Sequence, residues 1–345
     1  MMHSDTESLQ TADPKPILSR VCAVAKKKLV VTVGRALVSV CLLGFLLTRI
    51  DTAVFLDLGR RLSPWSFLFL VALFVSTTLL GSWRWKYLLE CHALKQSLFR
   101  GAYLYLVGYF FNNFLPTSMG GDIMRGFESS KKTGNTGKVF SSIVVERLLG
   151  LLASITSALV FLPVCRPPKT LILIVSILSA ASWGGALLLI LLMRTSALDR
   201  LFRMLPAGAH RKAVEGMDTL RQFLYHPKLL FKSFLVSFLY QASLIVVCWT
   251  CARMAGIDGL ALQHYLVFVP VVWVIVLVPV SLNSLGVSEV SFSYFFSLFG
   301  APKEQGVLVS LMFLGTTMIA SLVGGILWGT ASYRASKNAD HAVST

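Results

Sequence analysis

Apolar residues fall along this chain in blocks set between short basic stretches. After a polar opening, residues 1–28, which ends in Lys26, Lys27 and Lys28, six uninterrupted blocks follow at 29–48, 65–82, 139–162, 170–193, 229–252 and 306–330. Each approaches the roughly 20 apolar residues that a helix needs to cross a bilayer. Two further stretches, 98–127 and 264–300, are apolar but broken: Pro, Asn and Gly interrupt both, and an acidic residue follows shortly. Irregular backbone at membrane depth survives only where protein buries it or where it lines a cavity, so the broken stretches mark a site. The first block is longer than a signal-peptide core and lacks an A-x-A pattern, which predicts a retained helix.

The distribution of Lys and Arg selects a topology. If each broken stretch returns to the side it entered, the basic residues collect strongly on the N-terminal side; if each crosses once, the two sides come out nearly equal. Cytoplasmic loops carry the Lys/Arg excess, so re-entrant hairpins and cytoplasmic termini are expected. The predicted fold is an all-α integral membrane protein with six full transmembrane helices and two re-entrant hairpins. Its repeats are 29–162 and 163–335, with a short cytoplasmic tail at 336–345. One hairpin enters from inside and the other from outside, an inverted-repeat plan used by many secondary transporters. The 194–228 loop holds Arg194, Arg200, Arg203, Arg211, Lys212, Arg221 and Lys228. Val214, Met217, Leu220 and Leu224 recur there at helical spacing, which fits either a basic amphipathic helix on the inner surface or a solvated helical loop.

Composition agrees with the membrane class: 55% of residues are hydrophobic and only 14% charged, against about 25% charged in ordinary globular chains. The net charge of +16 is better assigned to orientation and anionic inner-leaflet lipid than to nucleic acid, because the basic residues lie between apolar spans. Cys248 and Cys251 form a C-x-x-C inside an apolar helix, without the polar access or further ligands that redox or zinc chemistry needs. No Walker-type phosphate loop and no metal-ligand spacing of histidines is found, so neither cofactor nor metal is expected.

Ionisable residues at apparent membrane depth are Arg35, Asp122, Arg125, Glu146, Arg147 and Glu289. Each costs about 2.5–3.5 kcal/mol at a helix centre on insertion scales, so mutual pairing around a charge-compensated cavity is expected. Glu146 and Arg147 are neighbours on a helix and their side chains diverge. Arg147 should therefore face Asp122 or Glu289, and Glu146 should face Arg125. These contacts either lock the hairpins to the bundle or leave Arg125 and Arg147 able to receive a phosphate, which a guanidinium fork matches well. Gly120 and Gly121 permit close backbone approach, a tight turn, or an anion site at a helix start. Asn112, Asn113, Asn283, Ser281 and Ser284 can satisfy broken-helix backbone groups or meet a headgroup. Pro116, Pro279 and Gly286 are the expected hinges. Trp83-Arg84-Trp85-Lys86-Tyr87 has the composition of an interfacial anchor, and Gly325 and Gly329 of ordinary helix packing.

The succession NNFLPTSMGGDIMRG, VVERLLGLLA and LVPVSLNSLGVSEVSFSYFFSLFG resembles the lysylphosphatidylglycerol synthase transmembrane-region family, over about residues 25–335. By position, the family's Pro-x-x-x-Gly-Gly-Asp-x-x-Arg falls on Pro116, Gly120, Gly121, Asp122 and Arg125, its Glu-Arg on Glu146 and Arg147, and its Pro…Gly-x-x-Glu on Pro279, Gly286 and Glu289. The resemblance implies a bacterial cytoplasmic membrane and movement of lipid between leaflets, or an accessory role beside a lipid or glycolipid synthase. Members that aminoacylate lipid carry a soluble synthase domain after the membrane part. This chain ends at Thr345, so no aminoacyl transfer is expected. A flippase for a lipid with an anionic headgroup is the leading expectation. The alternatives are a membrane-embedded transferase with Asp122 or Glu289 as general base, and a non-transporting scaffold.

Overall fold

The structure is a computed structural model that describes residues 63–114, 120–195, 203–204, 206–277, 281 and 284–343. Among these residues every regular element is an α-helix: α1 Pro64–Glu90, α2 Leu98–Phe114, α3 Gly120–Thr133, α4 Thr136–Cys165, α5 Lys169–Arg194, α6 Ala207–Phe223, α7 Pro227–Met254, α8 Leu262–Leu277, α9 Val287–Leu298 and α10 Lys303–Val343. Proline opens α1 and α7, where its missing N–H goes unneeded. Five helices are long and apolar enough to cross a membrane: α1, α4, α5, α7 and residues 303–331 of α10. They coincide with five of the six uninterrupted blocks; the remaining block, 29–48, lies outside the described residues.

The broken stretches form two antiparallel helical hairpins. Helix α3 runs back along α2: Ser129 Oγ donates to Gln96 Oε1 at 3.1 Å near one end, and Gly121 N donates to Asn112 Oδ1 at 2.7 Å near the other. Likewise α9 runs back along α8, with Phe268 against Phe292 and Phe295, and His264 against Phe299. These helices have 12 to 17 residues, about 18–26 Å at 1.5 Å per residue, short of the roughly 30 Å hydrocarbon core. Pro116, Pro279 and Asn283 lie outside the described residues. Gly286 caps the start of α9 at φ +84°, a conformation that favours glycine.

Helices α1 and α7 pack antiparallel at the centre, with Ser233 Oγ donating to the Arg84 carbonyl and Leu70 meeting Cys248 and Cys251 in one apolar cluster. Around this pair the packing is reciprocal. Helix α2 lies on α10 while α8 lies on α4, and α3 lies on α4 while α9 lies on α10. The open end of the α2–α3 hairpin adjoins the end of α1 and the start of α7; that of the α8–α9 hairpin adjoins the ends of α4 and α7. The two hairpins thus open at opposite ends of the bundle.

Lipid is as apolar as leucine, so helices here are held by close packing and hydrogen bonds rather than by expulsion of water. The buried faces accordingly carry small and hydroxyl residues, among them Thr77, Ser82, Ser142, Ser157, Ser233 and Ser237. Several return their hydroxyl proton to a carbonyl one turn back, as Thr77 does to Phe74 at 2.7 Å. Leucine and isoleucine face outward, most fully on α5, where Leu173, Ile177, Leu187 and Leu191 are exposed. Cys248 and Cys251 are simply buried in the core. Gly121 is helical and lies against Gly108, where a methyl would strike the Gly108 carbonyl oxygen, so close approach is the use made of this glycine. Gly325 fits the Phe110 ring in the same manner, whereas Gly329 has nothing near it.

Helix α6 is amphipathic, and Val214, Met217 and Leu220 are half-buried. Its last turn is anchored to the bundle. Phe223 is buried against Leu88, Leu89 and Val139 and meets the His92 ring edge-on, and Arg221 Nε donates to the Met193 carbonyl at 2.9 Å. His92, in the turn after α1, bridges Gln222 Oε1 at 2.9 Å and Ser141 Oγ at 3.1 Å.

Two outcomes are expected. Gly121→Ala should lower stability in detergent by about 1–3 kcal/mol through overpacking, read as a fall in Tm, while Gly185→Ala, which meets no atoms, should leave it unchanged. Burial, with Lys138 and His226 nearby, holds the His92 imidazole below its usual range despite the Gln222 bond. The unfolded form therefore takes a proton first as pH falls. The anchor keeps full strength above about pH 6.5 and weakens below it. Hydrogen exchange of 207–223, corrected for intrinsic rate, should rise from pH 7.5 to 5 in the native chain and stay flat in His92→Gln.

Candidate functional site

The charged residues of the first hairpin and α4 gather at one place, where α1, α2, α3, α4 and α7 meet. Glu146 on α4 is the hub. Its side chain is 3% exposed, and it lies between two guanidiniums. Arg125 on α3 donates through Nη2 to Oε2 at 3.0 Å, and Arg84 on α1 bonds Oε1 through Nη2. The Tyr105 hydroxyl of α2 donates to the same Oε1 and accepts from Arg84 Nη2 at 3.1 Å. A carboxylate with two cations and a phenol is well compensated in a low-dielectric interior.

Aromatic faces complete the enclosure. The Arg125 guanidinium sits 4.5 Å from the Trp85 ring centre and 4.3 Å from that of Tyr105, and Arg84 sits 4.6 Å from the ring of Tyr240 on α7. These stacks are favourable because ring faces are negative and guanidinium is weakly hydrated. Trp85 Nε1 donates to Ser142 Oγ at 2.9 Å, and the Tyr109 and Tyr240 hydroxyls meet at 2.5 Å. Arg84 Nε and Arg125 Nε find no hydrogen-bond acceptor among the described residues.

Asp122 carries the cluster outward. Its Oδ1 accepts from Arg125 Nη2 at 3.2 Å, and its Oδ2 accepts from Arg147 Nε at 2.8 Å and contacts Arg147 Nη2 at 2.5 Å. Unlike Arg84 and Arg125, the Arg147 side chain is 55% exposed. Close to it in sequence on α4, and to Asp122 on α3, the exposed residues Val144, Leu148, Ile123 and Phe127 are all apolar. Among the described residues, three guanidiniums against two carboxylates leave the cluster one positive charge in excess.

Both pairings expected from the adjacency of Glu146 and Arg147 are present, with Arg147 on Asp122 rather than on Glu289. The gathering of every membrane charge into one compensated pocket is not. Glu289 stands apart, accepting from the Gly286 amide at 2.6 Å and from Ser310 Oγ at 3.3 Å, and Arg35 lies outside the described residues. Gly120 and Gly121 are buried in the first turn of α3, and the Gly121 amide donates to Asn112 Oδ1. Asn113 lies beside Glu289's cavity and donates to Ser321 Oγ at 3.1 Å.

Arg84 and Trp85 require a correction. They belong to the buried cluster, and only Trp83, Lys86 and Tyr87 of that run face outward, with Trp83 Nε1 donating to the Tyr87 hydroxyl at 3.0 Å. The available signal was positional. Thr77, Gly81, Arg84 and Leu88 share one stripe of α1, all of them buried, and small or hydroxyl residues mark the inward face of a membrane helix. Tyr105 falls on a similar stripe with Gly101, Gly108 and Asn112.

The cluster has a buried part and an exposed part, and substitutions in the two should differ in cost. Glu146→Gln strands the buried Arg84 guanidinium and leaves Arg125 only Asp122, and should cost about 3–5 kcal/mol, seen as lost folded yield and a large fall in Tm. Arg147→Ala should cost much less, because Arg147 is only half-buried and Asp122 keeps Arg125 as its partner.

No curated protein and no solved structure matches the chain. A family model described as the lysylphosphatidylglycerol synthase TM region matches residues 32–325. With nearly the whole sequence covered and the expected Gly-Gly-Asp-x-x-Arg and Glu-Arg side chains paired across α3 and α4, this protein belongs to the lysylphosphatidylglycerol synthase transmembrane-region family.

Proposed function

We propose that the protein is a lipid flippase that receives an anionic headgroup at the arginine cluster while the acyl chains stay in the bilayer. The observation that carries this reading is Arg147: a half-exposed guanidinium, joined to a net-positive buried cluster, on an otherwise apolar outer face. It lies eleven residues into α4, about 16 Å along the helix, close to the bilayer middle. Such a cation is costly without a partner and marks a pathway. A phosphate arriving there replaces Asp122 on Arg147, with two further guanidiniums behind it, and the fork geometry of arginine matches its oxygens.

The hairpins are re-entrant in this reading, opening to opposite leaflets, and the protein has six full spans with 29–48 as the first. Their lengths, antiparallel packing and opposed open ends support that arrangement. The reciprocal packing of α2 on α10 and α8 on α4 supports an inverted repeat, whose halves rock about the α1–α7 contact to present the cluster to either leaflet. The end of the bundle that bears α6 is cytoplasmic, as are both termini. Lys95, Lys131, Lys132, Lys138, Arg211 and Lys228 belong to that end and fit anionic inner-leaflet lipid.

The test is leaflet-specific accessibility of a fluorescent anionic phospholipid in liposomes holding the purified protein. Wild type should move the lipid well above protein-free background. Arg147→Ala should slow it at least about tenfold, equivalent to roughly 1.4 kcal/mol, while the folded fraction is kept. Equal rates for the two proteins would reject the role given to Arg147.

A further inference from the structure

Two buried carboxylates of this chain sit in opposite circumstances. Glu146 has two guanidiniums and a phenol. Glu289, 1% exposed, has backbone amides and one hydroxyl but no cation among the described residues. It borders a cavity of about 160 Å³. The walls are mostly apolar, including Trp273 and Val276 of α8, Phe292 of α9, and Phe313 and Leu314 of α10. Burying an uncompensated carboxylate in such surroundings is far more costly than burying the neutral acid.

Among the described residues no second titratable side chain lines this cavity. From α2 it receives Asn113, and from α10 Ser310 and Thr317. Along the packed helices, the titratable groups of α8 are His264 and Tyr265, in its first turn. On α9 there is Tyr294, which is exposed, and in the first turn of α10 are Lys303 and Glu304. Tyr109 of α2 is spent on Tyr240. None of these has an ion pair or hydrogen bond to Glu289 among the described residues.

The hydroxyls beside Glu289 suit a mobile proton. Ser310 Oγ reaches Glu289 Oε1 at 3.3 Å and Ser288 Oγ at 2.9 Å, and Ser288 is itself partly exposed. Either hydroxyl of the serine pair can donate. With Glu289 ionised, Ser310 donates to the carboxylate; with Glu289 protonated on Oε1, the acid donates to Ser310 and Ser310 to Ser288. The Gly286 amide holds Oε2 in both states. One proton is gained or lost and no bond to a heavy atom changes.

We propose that Glu289 is a proton-binding site, separate from the arginine cluster, whose loading and release drive the lipid cycle. The link to the cluster runs through the end of α2. Asn113 borders the Glu289 cavity, while its neighbour Asn112 holds the Gly121 amide one residue before Asp122. The coupling rests on the transport reading; the proton site itself does not, and the two are tested separately.

A hydrophobic carbodiimide reacts with protonated carboxyls in apolar surroundings, and peptide mass spectrometry locates the adduct. Applied to the full chain in liposomes, it should label Glu289 about tenfold more at pH 6 than at pH 9, with Glu146 unlabelled, and Glu289→Gln should lose that adduct. Absence of labelling at pH 6, equal labelling at both pH values, or protection by sodium ion at constant pH would overturn the proton site, the last in favour of a metal cation. In the same liposomes an imposed pH gradient should change the lipid translocation rate of wild type several-fold and leave that of Glu289→Gln unaffected. Translocation by wild type that ignores the gradient would overturn the coupling. If no lipid moves at all, the flippase reading and the coupling both fall, while the carbodiimide result still decides the proton site.

Discussion

An ionised carboxylate in a low-dielectric interior tolerates very few environments, and Glu146 occupies one of them. Its oxygens tie Arg84 of α1, Tyr105 of α2 and Arg125 of α3 to α4, and the stack of Arg84 on Tyr240 extends the tie to α7. Segments far apart in sequence thereby acquire a single common register. In water a hydrophobic core would do much of this work. In lipid the apolar surfaces of separate helices are already satisfied, so polar contacts and close packing of small residues decide which faces meet. Gly121 against Gly108, and Gly324 against the Leu106 carbonyl, supply the second of these.

That physics also explains what the amino-acid order revealed and what it hid. Long apolar blocks predict helices well because length and composition carry the signal, and five of the six appear as helices. The interrupted stretches become pairs of helices: one helix ends at Phe114 and the next starts at Gly120, and Gly286, at φ +84°, caps the start of α9. Adjacency of Glu146 and Arg147 on one helix correctly forced their partners to come from elsewhere. Arg84 was hidden because a Trp-Arg-Trp-Lys-Tyr run has the composition of an interfacial anchor, and helical rotation alone separates the inward Arg84 and Trp85 from the outward Trp83, Lys86 and Tyr87. Glu289 was grouped with the other charges because charge balance says that ions must be compensated, but not which ones meet.

The reciprocal packing sets the two halves of the bundle side by side with different chemistry. Asp122 lies in the first turn of α3 and Glu289 in the first turn of α9, so each hairpin carries a carboxylate at a corresponding point. The first has guanidiniums beside it, and the second has serines and aromatic rings. One architectural plan thus gives one carboxylate committed to ion pairing and another with no counter-ion among the described residues.

The exposure of Arg147 has a consequence for the surrounding lipid as well as for the protein. A guanidinium that meets acyl chains near their midpoint draws water and phosphate toward itself, and the membrane responds by thinning locally. Beside α3 and α4 the leaflet surface should therefore be dimpled even when nothing is being carried. Under the proposed transport, a headgroup entering from that side begins its passage already part-way down, and the barrier it meets is set by the depth of this depression rather than by the full width of the hydrocarbon.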